Sequence, residues 1–273
     1  MNLTFFHLDF SSSPDYACFP LTFEDNPVPG VSVLLSSCSA GNMVYSEGTN
    51  GPARLAFFRS LGLDPARVYA CTQVHSRDVL EVDRETPNTG PRADGLLSRD
   101  RGLTLAVTVA DCLPVFLYDT GGCPDAGNGG LALVHSGWKG TGIALNALRL
   151  MEDRWGTRPQ DVAAVLGPCI RRCCYRVDGE RARTFEAEFG GTNGEPPGAF
   201  SWGPAAFEDA GEFFLDLQAA NVRLLAGAGV RNIAVCEDCT FTDLRLGSFR
   251  REGPQGYTKM AVLAGFFSTK DFV

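Results

Sequence analysis

Three residues that can bind a metal ion follow apolar stretches of a chain that has only three histidines. His75 follows YACTQV, Cys112 follows LAVTVAD, and His135 follows LALV. Because side chains at the ends of strands in an α/β sheet converge from distant parts of a sequence, we expect the three to share one pocket. Two histidines and a cysteine suit zinc, and they leave a fourth position for water or substrate. Such an ion makes bound water a nucleophile near neutral pH.

Spacing alone leaves other interpretations of these residues open. The separations of 37 residues from His75 to Cys112 and of 23 residues from Cys112 to His135 match no compact zinc-finger pattern. The two histidines could instead be buried and hydrogen-bonded, with Cys112 an inert core thiol. Cys112 could also be the nucleophile of a hydrolase that uses a histidine as its base.

The elements that must position these residues are strands and helices that alternate along the chain. We predict strands within 30–41, 66–83, 103–119, 131–142, 161–170 and 232–240, with the 103–119 stretch broken at Pro114. We predict helices over 52–61, from 143 onward and over roughly 212–226, with a loop at 190–204. Because several strands follow one another directly, the pattern favours a single mixed α/β domain over 1–273 rather than a regular doubly wound fold.

Composition and charge indicate a small-molecule substrate. The chain has 24 Lys and Arg against 32 Asp and Glu, a net charge of -8, and 44% hydrophobic residues. An acidic globular chain without a basic block is a poor binder of nucleic acid or membrane surfaces. We see no apolar run of membrane-spanning length and no signal peptide, so we expect a cytoplasmic protein whose ten cysteines stay reduced.

Several segments, in order along the chain, resemble motifs of the laccase-domain family, which is also called YfiH-like. They are QVHSRDV (73–79), ADGLLSRDRGLTLAV (93–107), ADCLPVFLYD (110–119), HSGWKGT (135–141), GPCIRRCCYRV (167–177) and SFRRE (248–252). Ser76 stands where the family has glycine, and Lys139 stands where it has arginine. The matches cover roughly residues 50 to 265, and their conserved order makes the resemblance specific.

The resemblance implies both a fold and an activity. The family has α/β/β/α layers and one zinc ion, whose two histidine ligands and one cysteine ligand map onto His75, Cys112 and His135. Formerly described as polyphenol oxidases, its members are zinc-dependent enzymes that act on purine nucleosides. They convert adenosine, inosine, guanosine or methylthioadenosine and phosphate to the free base and a sugar 1-phosphate. They also deaminate adenosine at the same site.

Phosphorolysis requires cationic groups near the ribose and phosphate. The candidates are Lys139, in a glycine turn that opens a helix, and the pair Arg250 and Arg251, which could equally be solvated surface residues. Lys139 offers a point charge instead of the two-pronged contact of an arginine, which weakens the case for efficient phosphorolysis. Asp111 could orient a metal ligand or act as a base, or it could simply cap a turn.

Three other functions are alternatives to a zinc-dependent purine nucleoside phosphorylase. A copper-dependent polyphenol oxidase needs several copper ions, and one His/Cys/His set in a chain with three histidines supplies too few ligands. A cysteine hydrolase would use Cys112, and a protein that only binds a partner would have a degenerate site.

The C-x-x-C pair Cys236 and Cys239 is interpreted as core packing, because Cys173 and Cys174 are adjacent and do not form the second spaced pair of a zinc knuckle.

Overall fold

The computed structural model describes residues 1–121, 129–190 and 203–267, so most of the predicted loop at 190–204 lies outside the described residues. In chain order its first strands are β1 (Asn2–Phe6), β2 (Tyr16–Cys18), β3 (Thr22–Phe23), β4 (Asn26–Pro27), β5 (Ser32–Ser36), β6 (Tyr45–Ser46), β7 (Thr49–Asn50), β8 (Val68–Ala70), β9 (Val79–Glu81) and β10 (Gly95–Ser98). The later strands are β11 (Thr104–Val109), β12 (Leu113–Asp119), β13 (Leu131–Ser136), β14 (Val162–Leu166), β15 (Arg176–Val177), β16 (Ala206–Asp209), β17 (Glu212–Leu215), β18 (Asn232–Cys236) and β19 (Met260–Gly265). The helices are α1 (Pro52–Ser60), α2 (Ile143–Trp155), α3 (Gly179–Phe189), α4 (Leu217–Gly227) and α5 (Phe249–Glu252).

Two mixed sheets form the centre of the fold. The larger sheet has the order β1-β18-β14-β12-β13-β10-β9, and the smaller has the order β2-β5-β19-β11-β8. Strand β12 runs antiparallel to both of its neighbours, whereas β14 runs parallel to β18. The mixed α/β class predicted from the sequence is therefore confirmed. Among the described residues, none of the helices has the length and apolar character needed to cross a bilayer.

The buried side chains of β12 explain the layers. Phe116 and Tyr118 point into the core between the two sheets, while Val115 and Leu117 pack with α2, α3 and α4 on the outer face. On the far side of the smaller sheet, Leu263 packs against α1. A strand buried on both faces has a continuous apolar sequence, as LPVFLYD does. The layer order is helix, sheet, sheet, helix, as the resemblance implies. The extent of the domain, 1–273, stays a prediction.

Two details of the sequence-based prediction are wrong. The chain turns at 110–112 and not at Pro114, which lies inside β12 opposite His135. A proline is tolerated there because it is the second residue of the strand, and its carbonyl still accepts from the N–H of Gly167 at 2.9 Å. The helix predicted from 212 begins at Leu217, because 212–215 pair as strand β17 and the side chain of Asp216 caps the helix.

Candidate active site

The structure brings together His75, Cys112 and His135, the three residues singled out in the sequence. One ligand atom from each lies within 4.8 Å of those of the other two. Cys112 immediately precedes β12, and His135 lies near the end of the neighbouring β13. His75 lies in the connection between β8 and β9 with a left-handed backbone (φ 60°), and its exposed side chain opens the group to solvent.

A buried carboxylate organises this group from behind. Asp94 is fully buried, and its Oδ1 lies 2.9 Å from Nδ1 of His135. The same carboxylate accepts hydrogen bonds from the backbone N–H groups of Val74, His75 and Ser76 at 3.0, 3.0 and 2.7 Å. Asp94 therefore fixes both the ring of one histidine and the backbone of the other. It stabilises the unusual conformation that His75 adopts.

The pKa values of the site residues reflect two opposing effects, which are burial and the contacts with charged or hydrogen-bonding neighbours. Burial alone would raise the pKa of Asp94, but its bonds to His135 and to backbone N–H groups lower that pKa to about 2. Burial would also raise the pKa of Cys112, yet the charge of His135 and the contacts with both imidazoles lower it to about 6. Cys112 and Asp94 in turn raise the pKa of His135 to about 9 against the effect of burial. Without a metal, these opposite shifts favour a thiolate on Cys112 beside an imidazolium on His135.

The turn after β13 needs glycine because it approaches the ligand group closely. A Cβ atom on Gly137 would lie 2.9 Å from Sγ of Cys112 and 3.3 Å from Cδ2 of His75. One on Gly140 would lie 3.0 Å from the carbonyl oxygen of Ser76, so the turn also packs on the loop of His75. The absent side chain at 137 leaves space beside Sγ of Cys112 and the ring of His75. One thiolate and two imidazoles are a donor set that suits zinc or copper.

Asp111 makes contacts typical of a residue that holds a turn. Its carboxylate accepts from Oγ1 of Thr240 at 2.6 Å and from the backbone N–H of Arg250 at 2.7 Å, and its own φ is 87°. These bonds join the turn before Cys112 to the beginning of α5. The carboxylate that contacts the candidate ligand His135 is that of Asp94, which the sequence analysis did not identify. The only signal for it is an aspartate directly before the buried strand β10.

Two of the predicted phosphate donors are exposed and lie near aromatic rings. Lys139 follows Gly137 in the turn before α2, and its Nζ lies 5.4 Å from the ring centroid of Trp138. The guanidinium of Arg250 lies 5.4 Å from the ring centroid of Tyr175, whose pKa is raised by burial and, to a smaller extent, by the charge of Cys112. Tyr175 is thus a second neighbour of the site that the sequence analysis missed.

Arg251 is positioned differently from Arg250. Its Nη1 donates to the carbonyl oxygens of Thr240, Phe241 and Asp243, and its Nη2 donates to Oε1 of Glu252 at 2.6 Å. A guanidinium with these partners holds the 240–246 loop together and has little donor capacity left for phosphate. The predicted phosphate role of Arg251 is therefore the least supported of the three.

The matching family and the similar proteins agree with the motifs in the sequence. Residues 51–265 match the sequence profile of a family described as multi-copper polyphenol oxidoreductase laccase. A protein named purine nucleoside phosphorylase YlmD from Geobacillus stearothermophilus is 34% identical over 207 residues, 71% of this chain and 70% of the relative. A purine nucleoside phosphorylase of Corynebacterium glutamicum is 36% identical over 201 residues, 72% of this chain and 74% of the relative.

Solved structures give the same result. The crystal structure of the Bacillus licheniformis protein YfiH has a TM-score of 0.76 and 25% identity, and the match covers 94% of this chain and 98% of YfiH. That of YlmD from Geobacillus stearothermophilus has a TM-score of 0.73 and 27% identity, with 90% and 98% covered. Motifs, profile and fold lead to one conclusion: this chain belongs to the laccase-domain, YfiH-like family.

Proposed function

We propose that this chain is a zinc-dependent purine nucleoside phosphorylase that also deaminates adenosine. The observation that carries the proposal is the convergence of His75, Cys112 and His135 in front of the buried carboxylate of Asp94. The names of relatives that share about a third of their residues support the same reaction class. We infer a cytoplasmic location because the nine described cysteines are free thiols, which persist in reducing compartments.

His75, Cys112 and His135 would hold one metal ion, with Asp94 behind them to keep the ligands in place. Zinc bound by His75, Cys112 and His135 would supply Lewis-acid chemistry to the pocket. Asp94 accepts the Nδ1 proton of His135 and so leaves Nε2 free to act as a ligand, an arrangement common among metal-binding histidines. Copper is the alternative ion, because imidazole and thiolate also suit it.

Lys139 and Arg250 are the proposed phosphate-binding residues. Both are exposed cations, and both lie on segments tied to the ligand group, Lys139 through the 137–142 turn and Arg250 through Asp111. Charge-assisted hydrogen bonds from such groups stabilise phosphate and the charge that develops during its attack on the ribose. The ring of Tyr175, next to Arg250, would offer an apolar surface near the nucleoside.

The test is a product analysis with adenosine, with and without phosphate, alongside a metal assay. We expect adenine only when phosphate is present, inosine in either condition, and about one zinc ion per chain at this site. Failure of the zinc-loaded protein to release any product would contradict the proposal. Phenol oxidation with oxygen uptake after copper loading would favour the oxidase, and turnover that survives chelation would favour a Cys112 hydrolase.

A further inference from the structure

A second group of potential metal ligands consists of thiols alone. Cys173, Cys174 and Cys239 place their sulfur atoms within 4.8 Å of one another, and those of Cys173 and Cys174 are 3.4 Å apart. Cys173 is exposed, Cys174 is half-buried and Cys239 is buried. The group, called the thiol cluster below, therefore extends from the surface inward and is accessible to an ion from solvent.

The C-x-x-C spacing pairs Cys236 with Cys239, but in the structure Cys239 lies beside Cys173 and Cys174 instead. Cys236 is buried in the core between the sheets, and its sulfur lies 3.5 Å from Oδ2 of Asp238. Its role is packing, as the sequence analysis proposed. Cys239 instead meets the adjacent pair Cys173 and Cys174, because the two segments pair at Cys169 and Cys239.

Backbone hydrogen bonds between and within the two segments position the thiol cluster. The N–H of Thr240 donates to the carbonyl of Cys169 at 3.1 Å, and the N–H of Cys174 donates to the carbonyl of Arg171 at 2.9 Å. The cluster is therefore preorganised, and an ion would not have to order the chain in order to bind.

The environment of Cys239 favours a charged sulfur. The backbone N–H of Arg171 donates to its Sγ at 3.4 Å. A hydrogen bond donated to the sulfur stabilises the charged form of the thiol. A thiolate is the form of cysteine that binds metals.

We propose that Cys173, Cys174 and Cys239 bind one thiophilic d10 metal ion, Cu(I) or Zn(II), at a site separate from His75, Cys112 and His135. With metal–sulfur distances of about 2.3 Å in tetrahedral geometry, ligand sulfurs lie roughly 3.8 Å apart, which is close to the 3.4 Å between Cys173 and Cys174 and inside the 4.8 Å within which all three sulfurs lie. Soft thiolates select these ions. Binding transfers the thiol protons to solvent and changes no oxidation state, and a water would complete the shell of Zn(II).

The bound ion would stabilise the wall of the candidate active site. Cys174 precedes Tyr175, whose ring centroid lies 5.4 Å from the guanidinium of Arg250, and Cys239 precedes Thr240, which donates to Asp111 at 2.6 Å. A metal that joins Cys174 to Cys239 would therefore join the two segments behind these contacts. Because it binds only the folded state, it would also raise the melting temperature.

The experiment is an anaerobic titration of reduced, metal-free protein with Cu(I) and, separately, with Zn(II), each in competition with a chromophoric chelator. We expect Cys112→Ser, which lacks the thiolate of the candidate active site, to bind one ion that the double variants Cys112→Ser/Cys239→Ser and Cys112→Ser/Cys173→Ser do not hold. The loss of affinity should exceed the roughly tenfold to hundredfold effect of removing an outer-shell partner. Cys18→Ser, which removes an exposed thiol outside the cluster, is the matched control.

The outcomes separate this proposal from the proposed function. An ion retained when Cys173→Ser or Cys239→Ser is combined with Cys112→Ser, or lost in Cys112→Ser alone, would overturn the second site. The second site would also be overturned if the cluster bound neither ion and instead formed a disulfide in air, which mass spectrometry detects as the loss of two hydrogens. Cys173 is exposed, so its serine variant tests ligation without disturbing the core. Nucleoside turnover plays no part in any of these readouts.

Discussion

Asp94 contacts Nδ1 of His135 at 2.9 Å, and both side chains are buried. The contact fixes which ring nitrogen of His135 remains available beside Cys112. The same carboxylate holds the backbone on both sides of His75, so one residue sets the position of two candidate ligands. An outer-shell carboxylate in this position orients a histidine and increases its basicity as a ligand.

Asp94→Asn is predicted to weaken metal affinity by roughly tenfold to a hundredfold, the usual cost of losing an outer-shell partner. The amide keeps the shape of the side chain but loses the charge that orients His135. A chelator competition assay measures the effect. Asp100→Asn is the control, because Asp100 is bonded to Arg84 and contacts none of the candidate ligands. Equal affinity in wild type and a folded Asp94→Asn protein would refute the orienting role.

Gly137→Ala is predicted to reduce metal content and nucleoside turnover together. The new methyl group would lie 2.9 Å from Sγ of Cys112, closer than real Cβ contacts allow, so the ligand group would have to move. Gly227→Ala is the control, because no atom lies within 4 Å of its added Cβ and alanine is favourable in helix α4. Normal metal content in Gly137→Ala would contradict the close approach.

In metal-free protein, the rate at which iodoacetamide alkylates Cys112 is predicted to rise with pH, with a midpoint near pH 6. The pKa of this thiol is lowered to about 6, so the reactive thiolate forms as the pH rises through that value. Reactivity should then change little until His135, with a pKa of about 9, loses its proton. Peptide mass spectrometry after short iodoacetamide pulses gives the profile. In His135→Ala the midpoint should move upward, and a wild-type midpoint near pH 9 would disprove the ion pair.

The positions of the three candidate ligands could be predicted from sequence because each follows an apolar stretch in a chain with few histidines. Cys112 and His135 end up close together because β12 and β13 are neighbours, with Pro114 opposite His135. His75 comes from a loop, and its position depends on Asp94. That carboxylate could not be recognised, since an aspartate before a strand is ordinary until its buried partners are known.

The limits of the prediction elsewhere have physical causes. Pro114 resembles a strand break, but a proline near the start of a strand removes only one donor. Phe213 and Phe214 fit either a helix or a strand by pattern, and their pairing with β15 decides the outcome. The thiol cluster arises from a bridge between Cys169 and Cys239, a long-range contact that local spacing does not encode.

Arg250→Ala and Arg251→Ala are predicted to have different effects although the residues are adjacent. Loss of Arg250 should raise the KM for phosphate about tenfold, the effect of one charge-assisted hydrogen bond of about 1.5 kcal/mol. Loss of Arg251 removes the donors to the 240–246 loop and should lower the free energy of unfolding by roughly 3 kcal/mol. Phosphate kinetics and chemical denaturation distinguish them. A stable Arg251→Ala with a raised KM would reverse the assignment.

The dependence of turnover on the ligand group is tested by measuring zinc content and adenosine phosphorolysis in the same preparations of wild type, His75→Ala and His7→Ala. His7 is an exposed histidine that pairs with Asp238 and lies outside the ligand group, so its variant controls for the loss of an imidazole. We predict that His75→Ala loses the active-site zinc and the release of adenine together, while His7→Ala retains both. Full turnover by a His75→Ala protein without zinc at this site would show that the reaction does not depend on a metal ion held by His75.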